Sequence, residues 1–165
     1  MEFQYWFSIQ RNLYPELTPE LGKRFFEDDR LINSIGWLEQ LGLSDDEICD
    51  LPLGTLLFIG VPQRIEKVKV NVDRLLEYFT RTDVCLLLVD YPVAFAEEPQ
   101  DFVGAVLDIM VFVGNGWPTA IMRQYQQGDR EHSIFREMLG RTFYPESWFA
   151  ALEQLRDFNQ PIEAE

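Results

Sequence analysis

The stretch Phe102-Val103-Gly104-Ala105-Val106-Leu107-Asp108-Ile109-Met110-Val111-Phe112-Val113 decides how this sequence folds. Phe102, Val103, Val106, Leu107, Ile109, Met110 and Val113 leave almost no polar side to a helix, and a helix apolar all round belongs at the centre of a bundle. Glu97-Glu98-Pro99 opens it, with Pro able to stand in a first turn where its missing N–H costs nothing. The apolar stretch runs on to Met122, but Asp108 and the turn Gly114-Asn115-Gly116-Trp117-Pro118 interrupt it. A membrane span needs ~20 unbroken apolar residues, so two buried elements and a turn are expected here.

Helical punctuation extends outward on both sides. Thr18-Pro19-Glu20 supplies an N-cap, a Pro and an acid ahead of Leu21, Phe25 and Phe26. Asp29 is the expected cap of a helix carrying Leu31, Ile32, Ile35, Leu38 and Leu41, which Gly42 ends. Ser44-Asp45-Asp46-Glu47 has the spacing of a capping box, and Pro52 closes that short helix. Ile65, Val68, Val72, Leu75, Leu76 and Phe79 form the clearest apolar stripe in the chain. Downstream, Pro118 begins a helix that Gly128 ends. Asp129 caps one with Ile134, Phe135, Met138 and Leu139. Pro145 starts the last, with Trp148, Phe149, Leu152, Leu155 and Phe158.

Three segments resist this reading. Phe3, Tyr5, Phe7 and Ile9 alternate, which predicts a short strand or extended arm. Thr55–Val61, with Gly54 before it, Gly60 within it and Pro62 after it, fits helix or strand. Val84–Val89 is an apolar run that periodicity does not assign, a buried strand or a short helix capped by Thr82. The expected fold is therefore mainly α, a compact multi-helix bundle around a buried central helix. If 3–9, 55–61 and 84–89 pair as strands, it becomes α+β with a small sheet. No repeat or linker divides the 165 residues, so one domain is expected, with a frayed acidic tail from about residue 159.

Composition narrows function by exclusion. A hydrophobic fraction of 47% supports a packed core despite 28 Asp and Glu against 14 Lys and Arg, a net charge of −14. With so few cations, phosphate neutralisation is poorly served and direct nucleic-acid binding is not expected. Glu2 stands where a signal peptide carries basic residues, and Cys49 and Cys85 read as small buried hydrophobes, so the cytoplasm is the expected compartment.

The common catalytic signatures are missing. There is no phosphate-cradling G-x-x-x-x-G-K-[ST] and no G-x-S-x-G nucleophile elbow. His132, the one histidine, has no evident Ser or Cys partner and reads as a helix-surface residue. Two cysteines and one histidine fall short of a structural zinc site, and the acids around Asp45 lack the order of a calcium loop. No catalytic residue, metal site or cofactor is assigned, and the expectation is a protein that is not an enzyme. A carboxylate pair of the glycosidase kind leaves no sequence spacing, so a carboxylate-dependent enzyme remains an alternative.

The acids gather in three clusters: Glu27, Asp28 and Asp29; Asp45, Asp46, Glu47 and Asp50; Glu97, Glu98 and Asp101. Helix N-termini favour carboxylates at such places, yet the excess of negative charge also speeds encounter with basic partners. These ten residues are the candidate partner-binding set of a non-catalytic interaction module, an adaptor or an inhibitor of the immunity-protein kind. The alternative is an assembly subunit that docks through apolar surface, using aromatics of the N-terminal arm and of Phe143-Tyr144-Pro145 to Trp148-Phe149. Either way a protein partner is expected, basic in the first case, with no membrane span, and a homo-oligomer is compatible with both. Short helices ending in Gly, together with Leu51-Pro52-Leu53-Gly54-Thr55-Leu56-Leu57, resemble helical accessory subunits of bacterial secretion machines. That resemblance implies the assembly-subunit alternative.

Overall fold

The computed structural model describes residues 1–127 and 133–159. Within them every regular element is helical, twelve α-helices and one 3-10 turn with no strand. The contacts group into two compact units, Met1–Glu66 and Lys67–Glu165.

The first unit holds α1 (Phe3–Leu13), α2 (Pro19–Phe26), α3 (Asp29–Gln40), α4 (Asp45–Cys49), α5 (Leu53–Ile59) and the start of α6 (Pro62–Leu76). The extended arm expected at Phe3–Ile9 is instead the first two turns of α1. Its buried residues are Trp6, Phe7 and Gln10, the spacing of one helical face, while Tyr5 is exposed. The alternation of Phe3, Tyr5, Phe7 and Ile9 is therefore not what is buried. Trp6 lies within ring contact of Phe3 and Phe26 at 6.3 and 5.4 Å, which closes α1 onto α2.

Most caps fall where residue chemistry puts them. Thr18 accepts from the Leu21 N–H, and Ser44 and Glu47 form the full capping box. At the end of α3, Gly42 has φ 93°, its N–H donates to Glu39 O and the Leu43 N–H reaches Leu38 O, which is a Schellman closure. The expected cap of α3 shifts by one residue. Asp28, extended at φ −67° and ψ 131°, caps through its carboxylate on the Arg30 N–H, and Asp29 is already helical.

Thr55–Val61 joins no sheet, since α5 takes up Thr55–Ile59 and packs on α3. The approach is close because Gly60 has no side chain: a Cβ there would lie 1.8 Å from the Arg30 carbonyl oxygen. Asn33 Nδ2 donates to Gly60 O at 3.0 Å, and the buried Ser34 hydroxyl lies between the carbonyls of Arg30 and Leu56.

The second unit holds the rest of α6, then α7 (Arg81–Asp90), α8 (Pro92–Phe95), α9 (Pro99–Val113), α10 (Trp117–Gln127), α11 (Ile134–Glu137), the 3-10 turn Met138–Gly140 and α12 (Pro145–Asp157). Val84–Val89 is helical, inside α7, with Val84, Leu87 and Leu88 buried at helical spacing. Thr80, not Thr82, caps it by accepting from the Asp83 N–H at 3.1 Å. With all three doubtful segments in helices, the α+β alternative falls and the mainly α reading stands.

The α10 helix starts at Trp117, one residue before Pro118; the expected signals Gly128 and Asp129 lie outside the described residues. Ser133 caps α11 by accepting from the Phe135 N–H. Asn71, buried in mid α6, donates from Nδ2 to Phe95 O at 2.9 Å and to Glu97 O at 2.8 Å, fixing the connection from α8 to α9. Asn159 Nδ2 donates to Val113 O at 2.8 Å, and the rest of the expected tail lies outside the described residues.

The α9 helix buries Phe102, Ala105, Val106, Ile109 and Val113. Enclosure stops there. Leu107 is 52% exposed and Val111 85%, so the apolar circumference of α9 exceeds what the fold covers. No single helix among the described residues is long and apolar enough to cross a membrane.

Candidate functional site

The ten acids picked out by sequence stand at helix ends. Glu27 ends α2, Asp28 caps α3 and Asp29 is its first residue. Arg30 grips Asp28 through Nε at 3.0 Å and Nη2 at 2.9 Å. This fork holds the Asp28 carboxyl down at about 2, with the side-chain hydrogen bonds from Arg30 as the first cause and its backbone N–H as the second. Asp45, Asp46 and Glu47 fill the first turn of α4, and Asp50 ends it. The first two clusters thus sit at opposite ends of α3, a helix about 18 Å long by its rise per residue. No single acidic face joins them.

Glu97, Glu98 and Asp101 stand at the start of α9 in the second unit. Burial pushes the Glu97 carboxyl up, with Asp101 and Glu98 adding to the shift and Lys67 opposing it. Lys67 itself pairs with Glu98 at 2.5 Å. Each cluster therefore has a local electrostatic task at a helix N-terminus or beside a neighbouring cation.

Sequence reasoning named the Phe143–Phe149 stretch as a candidate apolar surface but missed its neighbour on α9. Leu107 and Val111 lie one turn apart on the outward side of α9. Beside them Phe112 is held edge-on by Phe149 of α12, centroids 5.3 Å apart, and covered by the Arg156 guanidinium at 4.9 Å. Phe149 remains 56% exposed. Asp108 ties the two helices together: its Oδ2 accepts from Arg141 Nε at 2.6 Å and from Trp148 Nε1 at 3.0 Å. Phe143 and Tyr144, just before α12, are exposed too, whereas Trp148 is buried.

Exposed apolar side chains gathered on two helices in contact are informative in a way that scattered exposed leucines are not. One signal was legible: Phe149 is flanked by Glu146 three residues before and Glu153 four residues after. Both acids share its helix side, and that side must face water. Neither Glu146 nor Glu153 has an ion pair among the described residues.

Other candidates offer less chemistry. A groove of about 360 Å³ between α8 and α11 is lined by Tyr91, Val93, Phe135, Arg136 and Leu139, with Tyr91 stacked on Phe135 at 6.0 Å. Asp90 at its edge accepts from the Tyr125 hydroxyl at 2.6 Å. Both cysteines are free, and burial pushes the Cys49 thiol up to about 11, with Asp45, Asp46 and Asp50 adding to the shift. A thiol so poised is a poor nucleophile at neutral pH. His132 lies outside the described residues. Among those described, no group of three or more His, Cys, Asp or Glu is arranged to hold a metal ion. No protein-family model, curated protein or solved structure matches this chain.

Proposed function

We propose that this chain is a non-catalytic protein-interaction module, an adaptor or inhibitor that engages a basic protein partner. The observation that carries the reading is the exposed apolar side chains Leu107, Val111 and Phe149, the last flanked by Glu146 and Glu153, which have no ion pair among the described residues, in a chain of net charge −14. The two features do different work. Charge raises the encounter rate and rejects acidic partners, and it is screened by salt. Buried apolar contact then supplies the salt-insensitive part of the affinity. The ten helix-end acids contribute to the long-range field rather than forming the contact itself.

The test is capture from lysate of the source cell at low and at high salt, followed by rebuilding the complex from the purified retained protein. A basic partner that forms a defined complex, weakened but not abolished by salt, is expected. Complete loss with salt would assign the contact to charge alone. Indifference to salt would favour the assembly subunit. Retention of nothing at either salt would overturn the reading.

A further inference from the structure

Resting on that reading, we infer that the α9–α12 surface receives a single amphipathic helix of the partner, apolar on one face and carrying Lys or Arg along its flank. The receiving surface is made of helices, and among the described residues no strand edge exists to extend, so a partner strand has no ladder to join. An apolar helix face laid along two helices is the recognition mode that suits an all-helical receiving surface.

Spacing defines what fits. Leu107 and Val111 rise about 6 Å along α9, one turn, and match apolar partner residues four apart. Glu146 and Glu153 rise about 10.5 Å along α12, which is one heptad and matches two cations seven residues apart. Phe149 lies between the acids, steadied by Phe112, so its ring is ordered before the partner arrives. Arg141 is paired with Asp108, and Arg156 lies over Phe112. A cation seated opposite the exposed Glu146 and Glu153 complements their charge.

The same charge argues against a second copy as occupant. A two-fold contact centred on Phe149 would bring Glu146 of one copy toward Glu153 of the other, setting like charges together. A basic helix meets the apolar stripe and the glutamates together.

The probe is a fluorescent Leu/Lys peptide of roughly 18 residues, long enough to form a helix, with its leucines in heptad register. A scrambled isomer of equal charge is the control, read by anisotropy at about 0.15 M salt. The full chain is expected to bind the heptad peptide at least about tenfold more tightly than the isomer, a difference of about 1.4 kcal/mol. Leu107→Asp with Val111→Asp should erase that preference while leaving the far-ultraviolet circular dichroism intact, because both side chains point to water. Glu146→Lys with Glu153→Lys should weaken the heptad peptide about tenfold on the same scale.

Equal binding of isomer and heptad peptide, or variants that bind like the wild type, would overturn the inference. So would a wild-type dimer that the aspartate variant dissolves, since a second copy would then occupy the face. The two readings fail separately: a purified partner that still binds the aspartate variant keeps the interaction module and removes this site from it.

Discussion

Trp148 Nε1 donates to Asp108 Oδ2 at 3.0 Å, joining α12 to α9 through an acid inside an otherwise apolar run. Arg141 Nε shares that oxygen at 2.6 Å, and its guanidinium also lies against Gly104, where an added Cβ would meet Nη1 at 3.1 Å. The acid that broke the apolar stretch in the sequence is thus the polar bolt of the surface proposed to bind. Asp108→Ala strands the buried indole N–H and should cost about 2 kcal/mol of unfolding free energy, with Asp108→Asn costing less because one acceptor oxygen remains. Urea denaturation of both variants checks this, and equal losses would show that the hydrogen bond is not the source.

Two glycines of the first unit should respond in opposite directions. Gly60→Ala drives a methyl into the Arg30 carbonyl and the Ser34 hydroxyl, 1.8 and 2.5 Å from the ideal Cβ, so α3 and α5 must separate. A loss of about 3 kcal/mol is expected. Gly36 sits exposed within α3 with nothing within 4 Å of its added Cβ. Gly36→Ala should stabilise by about 1 kcal/mol, since a glycine in a helix interior forfeits that much relative to alanine. Thermal melts of the two single variants decide the matter.

Asp28 predicts an acid-side effect. Its folded value of about 2 lies below the ordinary 3.8, so the unfolded chain takes up the proton first. The stability it contributes is complete above pH 4 to 5 and is lost as pH falls toward 2. Because Arg30 is well exposed, solvent and salt screen the pair and the contribution is small. Carboxyl-carbon NMR titration should show the Asp28 value returning toward 3.8 in Arg30→Ala, and an unchanged value would remove Arg30 as its cause.

Cys49 should label only when the fold opens. With its thiol pushed up to about 11 by burial, little thiolate is present at pH 8. In a Cys85→Ser background, alkylation by iodoacetamide should be slow in buffer and rapid in denaturant. The linkage has a definite sign: the stability is complete below pH 9, the ordinary value, and declines as pH rises toward 11, because the unfolded chain ionises first. Native labelling as fast as that of the unfolded chain would show Cys49 to be exposed.

Much of this architecture was legible one residue at a time. Thr18, Ser44 with Glu47 and Gly42 each announced a helix end through local hydrogen bonds, and each does that job in the fold. The caps that slipped, from Asp29 to Asp28 and from Thr82 to Thr80, did so because neighbouring residues of equal capping chemistry competed. Phe3–Ile9 misled because a two-residue alternation and a helical face can share members, and only the partner surface settles which set is buried. The division at Glu66–Lys67 falls inside α6, where no change of composition marks it.

The candidate site divides the same way. Net charge, the three acidic clusters and their place at helix ends follow from residue identity and nearest neighbours, and sequence determines them by itself. The surface that carries the proposed function does not follow from these. Leu107, Val111 and Phe149 differ from the buried Phe102, Ile109 and Trp148 only in direction around their helices. Direction acquires meaning only when another helix covers one side and leaves the other to water. That covering depends on contacts between residues about 40 positions apart, as Asp108 and Trp148 are, so tertiary packing alone decided which apolar side chains remained outside.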